Sequence, residues 1–499
     1  MNFGSKYRRT RWYAAVTGGL VGFAGMAALS GVDTVVPMAE KSVPSPQQVA
    51  AKKAGDGGKQ RKDINVGCSS DDLIAAVVRA NAEGEATLIL SEVCTYTLTA
   101  HTGGNGLPMI VGSIAIEGNG ATIVRAANAD EFRILNVGLG GNLQLRDVTI
   151  KGGVADAPLG GGGLLVQTGG KATVEHVAFT FNQSDGGGGA LANHGITRIV
   201  SSPKSNKDNG KHDDGKDGKV GKDGKGLTDF ADDGISRTWV EDSWTEDDWA
   251  KGEDGENANV TVISQNSALG SGAGVFNTGA LSVSNTRISH NNALGDAGGL
   301  LNFGGTAELT DTSIDHNHGI DDGGGISMAP NLAGRVSTTT LKRTLVANNY
   351  TNDAAGGINN EGSNLYVLHS IVRGNIATQS GGGFVNDDGK VTVDDSKIDK
   401  NTAGGLGGGV FSSGQFVLRR SEVNLNSAVG VASHSGGIRN SSGRLTLSRT
   451  RVIANFASVA PGGISTSNDQ VTVDDESPIV KNRPTNCEGS LVEVPNCFG

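Results

Sequence analysis

The sequence predicts an all-β fold, a right-handed parallel β-helix of roughly eleven to thirteen coils, on three observations. A short motif ending in asparagine returns at a near-constant interval, glycine pairs keep the same interval, and short alternating strands lie between the two. The composition agrees. Glycine occurs 78 times in 499 residues and aromatics make up only 4%, a balance that suits many tight turns.

The motif reads [Ser/Thr]-x-[Ile/Val]-x-x-Asn. Its copies are Thr261/Ile263/Asn266, Thr286/Ile288/Asn291, Thr312/Ile314/Asn317, Thr344/Val346/Asn349 and Ser370/Val372/Asn375. They continue as Ser396/Ile398/Asn401, Ser421/Val423/Asn426, Thr450/Val452/Asn455 and Ser477/Ile479/Asn482, with a variant at Val177/Phe179/Asn182. From Asn266 the asparagines step by 25, 26, 32, 26, 26, 25, 29 and 27 residues. Glycine pairs such as Gly298-Gly299, Gly356-Gly357 and Gly436-Gly437 precede them.

Between pair and asparagine lies a strand such as Ala280-Leu281-Ser282-Val283-Ser284, alternating with the period of a half-buried strand. A unit this short holds strands and turns but no long helix, and buries its apolar face only when stacked. Stacked coils place equivalent asparagines about 4.8 Å apart, so each side-chain amide donates to the next copy and accepts from the previous one. The glycines mark turns where a Cβ would clash or φ is positive.

An exposed solenoid end would pair with other molecules and is expected to be covered. Residues 69–83 suit that task as an N-terminal capping helix. Ser69 with Asp72 opens it, Leu73, Ile74, Val77 and Val78 give an apolar face, and Gly84 stops it. Four cysteines allow three pairings. The local ones, Cys68–Cys94 and Cys487–Cys497, are preferred, each worth about 2–4 kcal/mol in an oxidising compartment. A zinc site competes poorly without a CxxC pair.

The chain divides into 1–30, a signal peptide; 31–64, a disordered leader; 65–499, the β-helix; and 203–257, a low-complexity acidic insertion within it. Lys6, Arg8, Arg9 and Arg11 precede a 17-residue apolar stretch, Tyr13 to Leu29, and small residues follow. Cleavage would leave no membrane span. An uncleaved anchor is the alternative, weakened by Gly18, Gly19, Gly22 and Gly25. The insertion stretches one asparagine step to 84 residues and holds Trp239, Trp244 and Trp249. Those tryptophans read as incidental to a disordered acidic segment, or as a ligand-capturing loop.

The opening Val66-Gly67-Cys68 through Cys94-Thr95-Tyr96-Thr97-Leu98, with Asn105-Gly106-Leu107-Pro108 and Ile116-Glu117-Gly118-Asn119-Gly120, resembles secreted right-handed β-helix proteins of actinobacteria. That resemblance covers about 66–499 and implies the pectin-lyase-like fold without an activity. Gly188-Gly189-Ala190-Leu191 and Phe179-Thr180-Phe181-Asn182 are more loosely similar to the repeats of chlamydial polymorphic outer membrane proteins. Those relatives end in an outer-membrane barrel, which residues up to Gly499 do not supply, so an adhesin role is expected by analogy alone.

A net charge of -10 argues against nucleic acid as a partner. The same fold hosts pectate lyases and polygalacturonases, so acids on neighbouring coils were sought. The position before each Ser/Thr reads Asn285, Asp311, Arg343, His369, Asp395, Arg420, Arg449, Glu476. His369, Asp395 and Arg420, with Asp394, form its best run, and a surface ladder of alternating charge accounts for them. His290, His316 and His318 with Asp315 suggest a metal site less than ordinary turns. The doublets Asp321-Asp322, Asp387-Asp388 and Asp474-Asp475 lie beside glycine-rich turns, where aspartate is usual. No residue is assigned a catalytic, cofactor or metal role. The expectation is a secreted or cell-surface structural or binding protein that engages polysaccharide or a cell surface. The alternative is a polysaccharide lyase, less so a hydrolase, with Ca²⁺ implied only for the lyase.

Overall fold

The computed structural model describes residues 62–156, 158–201 and 260–499. The export signal, most of the leader and the insertion with its three tryptophans lie outside the described residues.

Each coil carries up to four strands. In one it is Val275–Asn277, Ala280–Ser284, Thr286–Ser289 and Asn292–Ala293. Every strand pairs in parallel with its counterparts in the coils before and after, so Ile288 sits between Ile263 and Ile314. The result is a parallel β-solenoid of about 14 turns, slightly longer than expected because the irregular first coils escape the repeat motif. Its strands form three sheets of 25, 10 and 11 strands, the largest holding two adjacent columns. The first strand, Lys62–Val66, begins inside the stretch assigned to the leader.

The repeat is legible in the packing. The [Ile/Val] of the motif is a buried column through Ile263, Ile288, Ile314, Val346, Val372, Ile398, Val423, Val452 and Ile479. Alternation in the neighbouring strands buries Leu281 and Val283 and their counterparts along the axis. Side chains at one position therefore meet their own kind, one strand spacing apart.

The asparagine column is buried, which excludes exposed turn residues. Asn349 Nδ2 and its backbone N–H both donate to Asn375 Oδ1 at 3.0 Å, and Asn375 does the same to Asn401. Each Nδ2 also donates back to a carbonyl of the preceding coil, as Asn375 does to Val346 at 2.9 Å. The ladder runs from Asn182 to Asn482 and ends on Asn486, whose own amide is held by the Phe498 carbonyl. The motif's hydroxyl forms a second ladder. Ser370 Oγ accepts the Thr344 N–H and Ser396 Oγ accepts the Ser370 N–H, each at 3.0 Å.

Three corners bend each coil, and the residue at each often has φ near +50°, the left-handed region. The corner before Ser/Thr is Asn285, Asp311, Arg343, His369, Asp395, Arg420 and Arg449 in successive coils. A second precedes the asparagine, at His290, His316 and Leu425 among others. The third falls at or beside the glycine pair. There a Cβ on Gly357 would stand 2.6 Å from the Gly383 carbonyl, so the next coil's backbone requires the glycine.

Such corners cost most for β-branched residues. Val93, at φ 53° and 76% exposed, is one. Val93→Gly is expected to raise stability by about 0.5–1 kcal/mol in urea denaturation. A loss of stability would show that its exposed side chain contributes packing.

The helix Ser70–Glu83 has the expected ends: Ser69 Oγ accepts the Asp72 N–H at 3.1 Å, and Gly84 is left-handed at φ 81°. It buries Leu73, Ala76, Val77 and Ala80 in the same core as the first coils. Val78, expected on that face, is exposed. The buried stripe follows i, i+3, i+4, i+7 spacing, and residue 78 lies one step round from it. Both local cysteine pairs are bonded, with Cα separations of 5.8 and 6.1 Å.

The strand Ile196–Val200 and the strand Thr261–Ser264 are the two halves of one coil, and Phe179 pairs with Ile263. The described chain thus stops at residue 201 and resumes at residue 260 around the corner that a single residue fills elsewhere. Coils resume in register, as the repeat implied.

Candidate functional site

The three residues singled out before Ser/Thr all occupy left-handed corners, which spaces them coil by coil along one edge. Arg420 Nε lies 3.0 Å from Asp395 Oδ1 and its Nη2 2.9 Å from Oδ2, while Nη2 also bonds Asp394. Arg343 grips Asp311 with two bonds of 2.6 and 2.7 Å, and Arg449 pairs with Glu476 at 2.7 Å. The His369 ring is exposed on the same edge. This is an inter-coil charge ladder. Its carboxylates at Asp311, Asp394, Asp395 and Glu476 are each paired with a guanidinium group.

The histidine group is arranged differently from a metal centre. His290 and His316 stack at 5.1 Å with planes 3° apart, which points their nitrogens along parallel planes rather than at one point. His316 Nδ1 lies 3.0 Å from Asp315 Oδ1, and Arg287 donates to the same carboxylate at 2.8 Å. Burial raises the Asp315 pKa, but His316, Arg287 and Ser313 outweigh it and bring it down to about 2. His318 turns to Asn292 and Tyr350. Among the described residues no group of three or more His, Cys, Asp or Glu is arranged to hold a metal ion.

The aspartate doublets do turn work. Asp474 accepts the Ser477 hydroxyl at 2.6 Å and the Arg449 N–H at 3.0 Å, and Asp387 accepts the Ser413 hydroxyl at 2.6 Å. Asp474 and Asp475 border a shallow depression of about 280 Å³ with Asn496 and Phe498. Asp322 belongs to a further ladder, however. Ser271 Oγ, Asp296 Oδ1 and Asp322 Oδ1 each accept an N–H from the following coil, at 3.0, 3.0 and 3.2 Å. Asp296 and Asp322 are therefore acids on adjacent coils, a pair the sequence reading missed because it followed another column. Burial first, then the Asp322 charge, pushes the Asp296 carboxyl well above the usual carboxylate range.

The outer face of the 11-stranded sheet carries the other groups that sequence reasoning passed over. The rings of His194, Phe276 and Phe303 form a half-buried row over successive coils, with centroids 5.8 and 6.5 Å apart. Further along the same face stand Glu361, Asp387, Phe411 and Arg439, each pointing outward between inward-facing neighbours. On the inner side a second amide column runs, in which Asn193 donates to Asn277 at 2.7 Å and Asn277 to Asn302 at 2.8 Å. Met328 interrupts it, and the Oδ1 of Asn360 in the next coil lacks a hydrogen-bond partner among the described residues. The signal was present in the sequence as the third residue after the last glycine of each turn, at Asn277, Asn302, Asn360, Asn386 and Asn440.

No family model matches the sequence and no curated protein matches it. Among solved structures the chain is similar to a surface adhesin of Streptococcus pneumoniae, at 11% identity and a TM-score of 0.30 over 81% of this chain and 95% of that one. It is also similar to the A-module of a mannuronan C-5 epimerase of Azotobacter vinelandii, at 13% identity and 0.33 over 84% and 97%. A third is the catalytic domain of a GH87 α-1,3-glucanase in complex with nigerose, at 11% and 0.36 over 88% and 71%. Likeness at this level speaks to neither ligand nor activity. The strand register above carries the fold.

Proposed function

We propose that the chain is a secreted or cell-surface binding protein that engages an extended polysaccharide along the outer face of its 11-stranded sheet. The observation that carries this reading is the ring row His194–Phe276–Phe303. The rings are half-buried, and the part of each left open to solvent can stack on the apolar face of a sugar. A row repeated along a solenoid matches a polymer better than a compact ligand. Two disulfides fit an oxidising compartment. Among the described residues no helix is long and apolar enough to cross a membrane. Residues 1–30 as an export signal and 203–257 as an insertion belong to the same reading.

Affinity electrophoresis against neutral and acidic polysaccharides tests it. At least one polymer is expected to retard the protein, and Phe303→Ala is expected to weaken that binding roughly three- to tenfold. No retardation by any polymer, or an unchanged Phe303→Ala, would sink the reading.

Catalysis on a polysaccharide is the second reading, and Asp296 with Asp322 is the observation that favours it. Inverting hydrolysis needs two carboxyl groups with separated pKa values. A reducing-end assay with and without Ca²⁺ decides. New ends formed by the wild type and lost in Asp322→Asn would make this an enzyme. Silence across the panel leaves binding.

A further inference from the structure

Arg439 stands on the outer face of the 11-stranded sheet, in the strand Ile438–Asn440, and is only 8% exposed. A buried guanidinium is ordinarily neutralised by a carboxylate. Arg287, with a side chain only 11% exposed, follows that rule with Asp315. Arg439 does not. Its Nη1 donates to Ser465 Oγ at 2.9 Å, its Nη2 donates to Ser467 Oγ, and its Nε has no hydrogen-bond partner among the described residues. Burial lowers its pKa, with no acid set against that effect.

The groups around it are hydroxyls and an imidazole. His434 Nδ1 lies 2.9 Å from Ser435 Oγ and 3.1 Å from Ser465 Oγ, and the two hydroxyls are 2.6 Å apart. Three hydroxyls, a ring and a fixed cation meet there, and among the described residues no carboxylate forms an ion pair with the cation. The coil itself is unusual: its asparagine step is 29 residues, and the added length includes the turn 429–435 that brings His434 over the sheet. Ser435 is held at φ 64°, which aims its hydroxyl into the group.

We propose that Arg439, His434, Ser435, Ser465 and Ser467 bind one anionic substituent, carboxylate or sulfate, of an acidic polysaccharide. The anion supplies the missing counter-charge, and the guanidinium keeps N–H groups beyond the two bonded to Ser465 and Ser467. The polymer half of this statement rests on the binding reading above. The anion half rests on the Arg439 cluster alone.

Two measurements on the full chain keep those halves apart. Sodium sulfate and sodium glucuronate are titrated against thermal stability at constant ionic strength, for the wild type and for Arg439→Gln. Saturable stabilisation of the wild type by at least one anion, abolished in Arg439→Gln, is expected. No saturable effect in the wild type, or an equal effect in the variant, overturns the site whatever the polymers do. A polyuronate, a sulfated glycan and a neutral glucan are then compared by affinity electrophoresis. Arg439→Gln is expected to weaken the acidic polymer roughly tenfold or more and to leave the neutral one unchanged. Equal loss for all three would refute anion specificity. Sulfate against glucuronate, and the sulfated glycan against polyuronate, separate the two sources of charge. Should Arg439→Gln fail to fold, His434→Gln serves, with a smaller loss of the same sign expected and no change overturning the site.

Discussion

Asn375→Leu is expected to destabilise the solenoid by about 3–5 kcal/mol, although it adds apolar volume to a buried position. The substitution removes the acceptor of the Asn349 N–H and one of the acceptors of Asn349 Nδ2. It also removes donors to Asn401 Oδ1 and the Val346 carbonyl. An orphaned buried N–H costs about 1–3 kcal/mol, and each lost bond about 0.5–1.5. Coils contact only their neighbours, so the damage should stay local. Amide exchange at Asn349 should accelerate more than at Asn266, several coils away. Urea denaturation measures the total, with Asn352→Leu on an exposed site as a control within about 0.5 kcal/mol. A loss below 1 kcal/mol for Asn375→Leu would show that the ladder specifies register without stabilising it.

Asp315→Ala is expected to cost a similar 3–5 kcal/mol, by a different route. Asp315 and Arg287 have side-chain exposures of only 7% and 11%, so removal of the carboxylate leaves a buried cation unpaired. The acid limb of stability follows from the same group. Its pKa is depressed from 3.8 to about 2 in the fold. The stabilisation it contributes, about 2 kcal/mol, is complete above the unfolded value near 4 and is lost as pH falls through about 2. Asp315→Asn should therefore flatten the dependence of stability on pH between about 5 and 2. An unchanged slope in that window would assign the acid sensitivity to other carboxylates.

The ladders explain why the repeat was readable without coordinates and why its chemistry was not. A position that recurs once per coil must satisfy itself, so Asn, Ser/Thr and Ile/Val recur at the beat of the strand spacing. The asparagine column, the core column of Ile288 and Ile314, both disulfides and the helix ends are consequences of that rule or of local caps. The hydroxyl ladder through Ser370 and Ser396 and the amide column through Asn193 and Asn277 obey it too.

The charged and functional positions were another matter. His369, Asp395 and Arg420 recur at equivalent places, and the structure makes all three left-handed corner residues, with Asp395 paired to Arg420. Arg439 and Ser465 are joined by a coil-to-coil contact between unlike residues, and the column of Asp296 and Asp322 begins on a serine, Ser271. The sequence by itself determined the solenoid, its period and its inward-facing columns, because identical positions stack and must suit their own copies. Only the tertiary structure decided which outward charges are compensated. That depends on the left-handed corners, on turn lengths such as 429–435, and on which unlike side chains those bends bring within bonding distance.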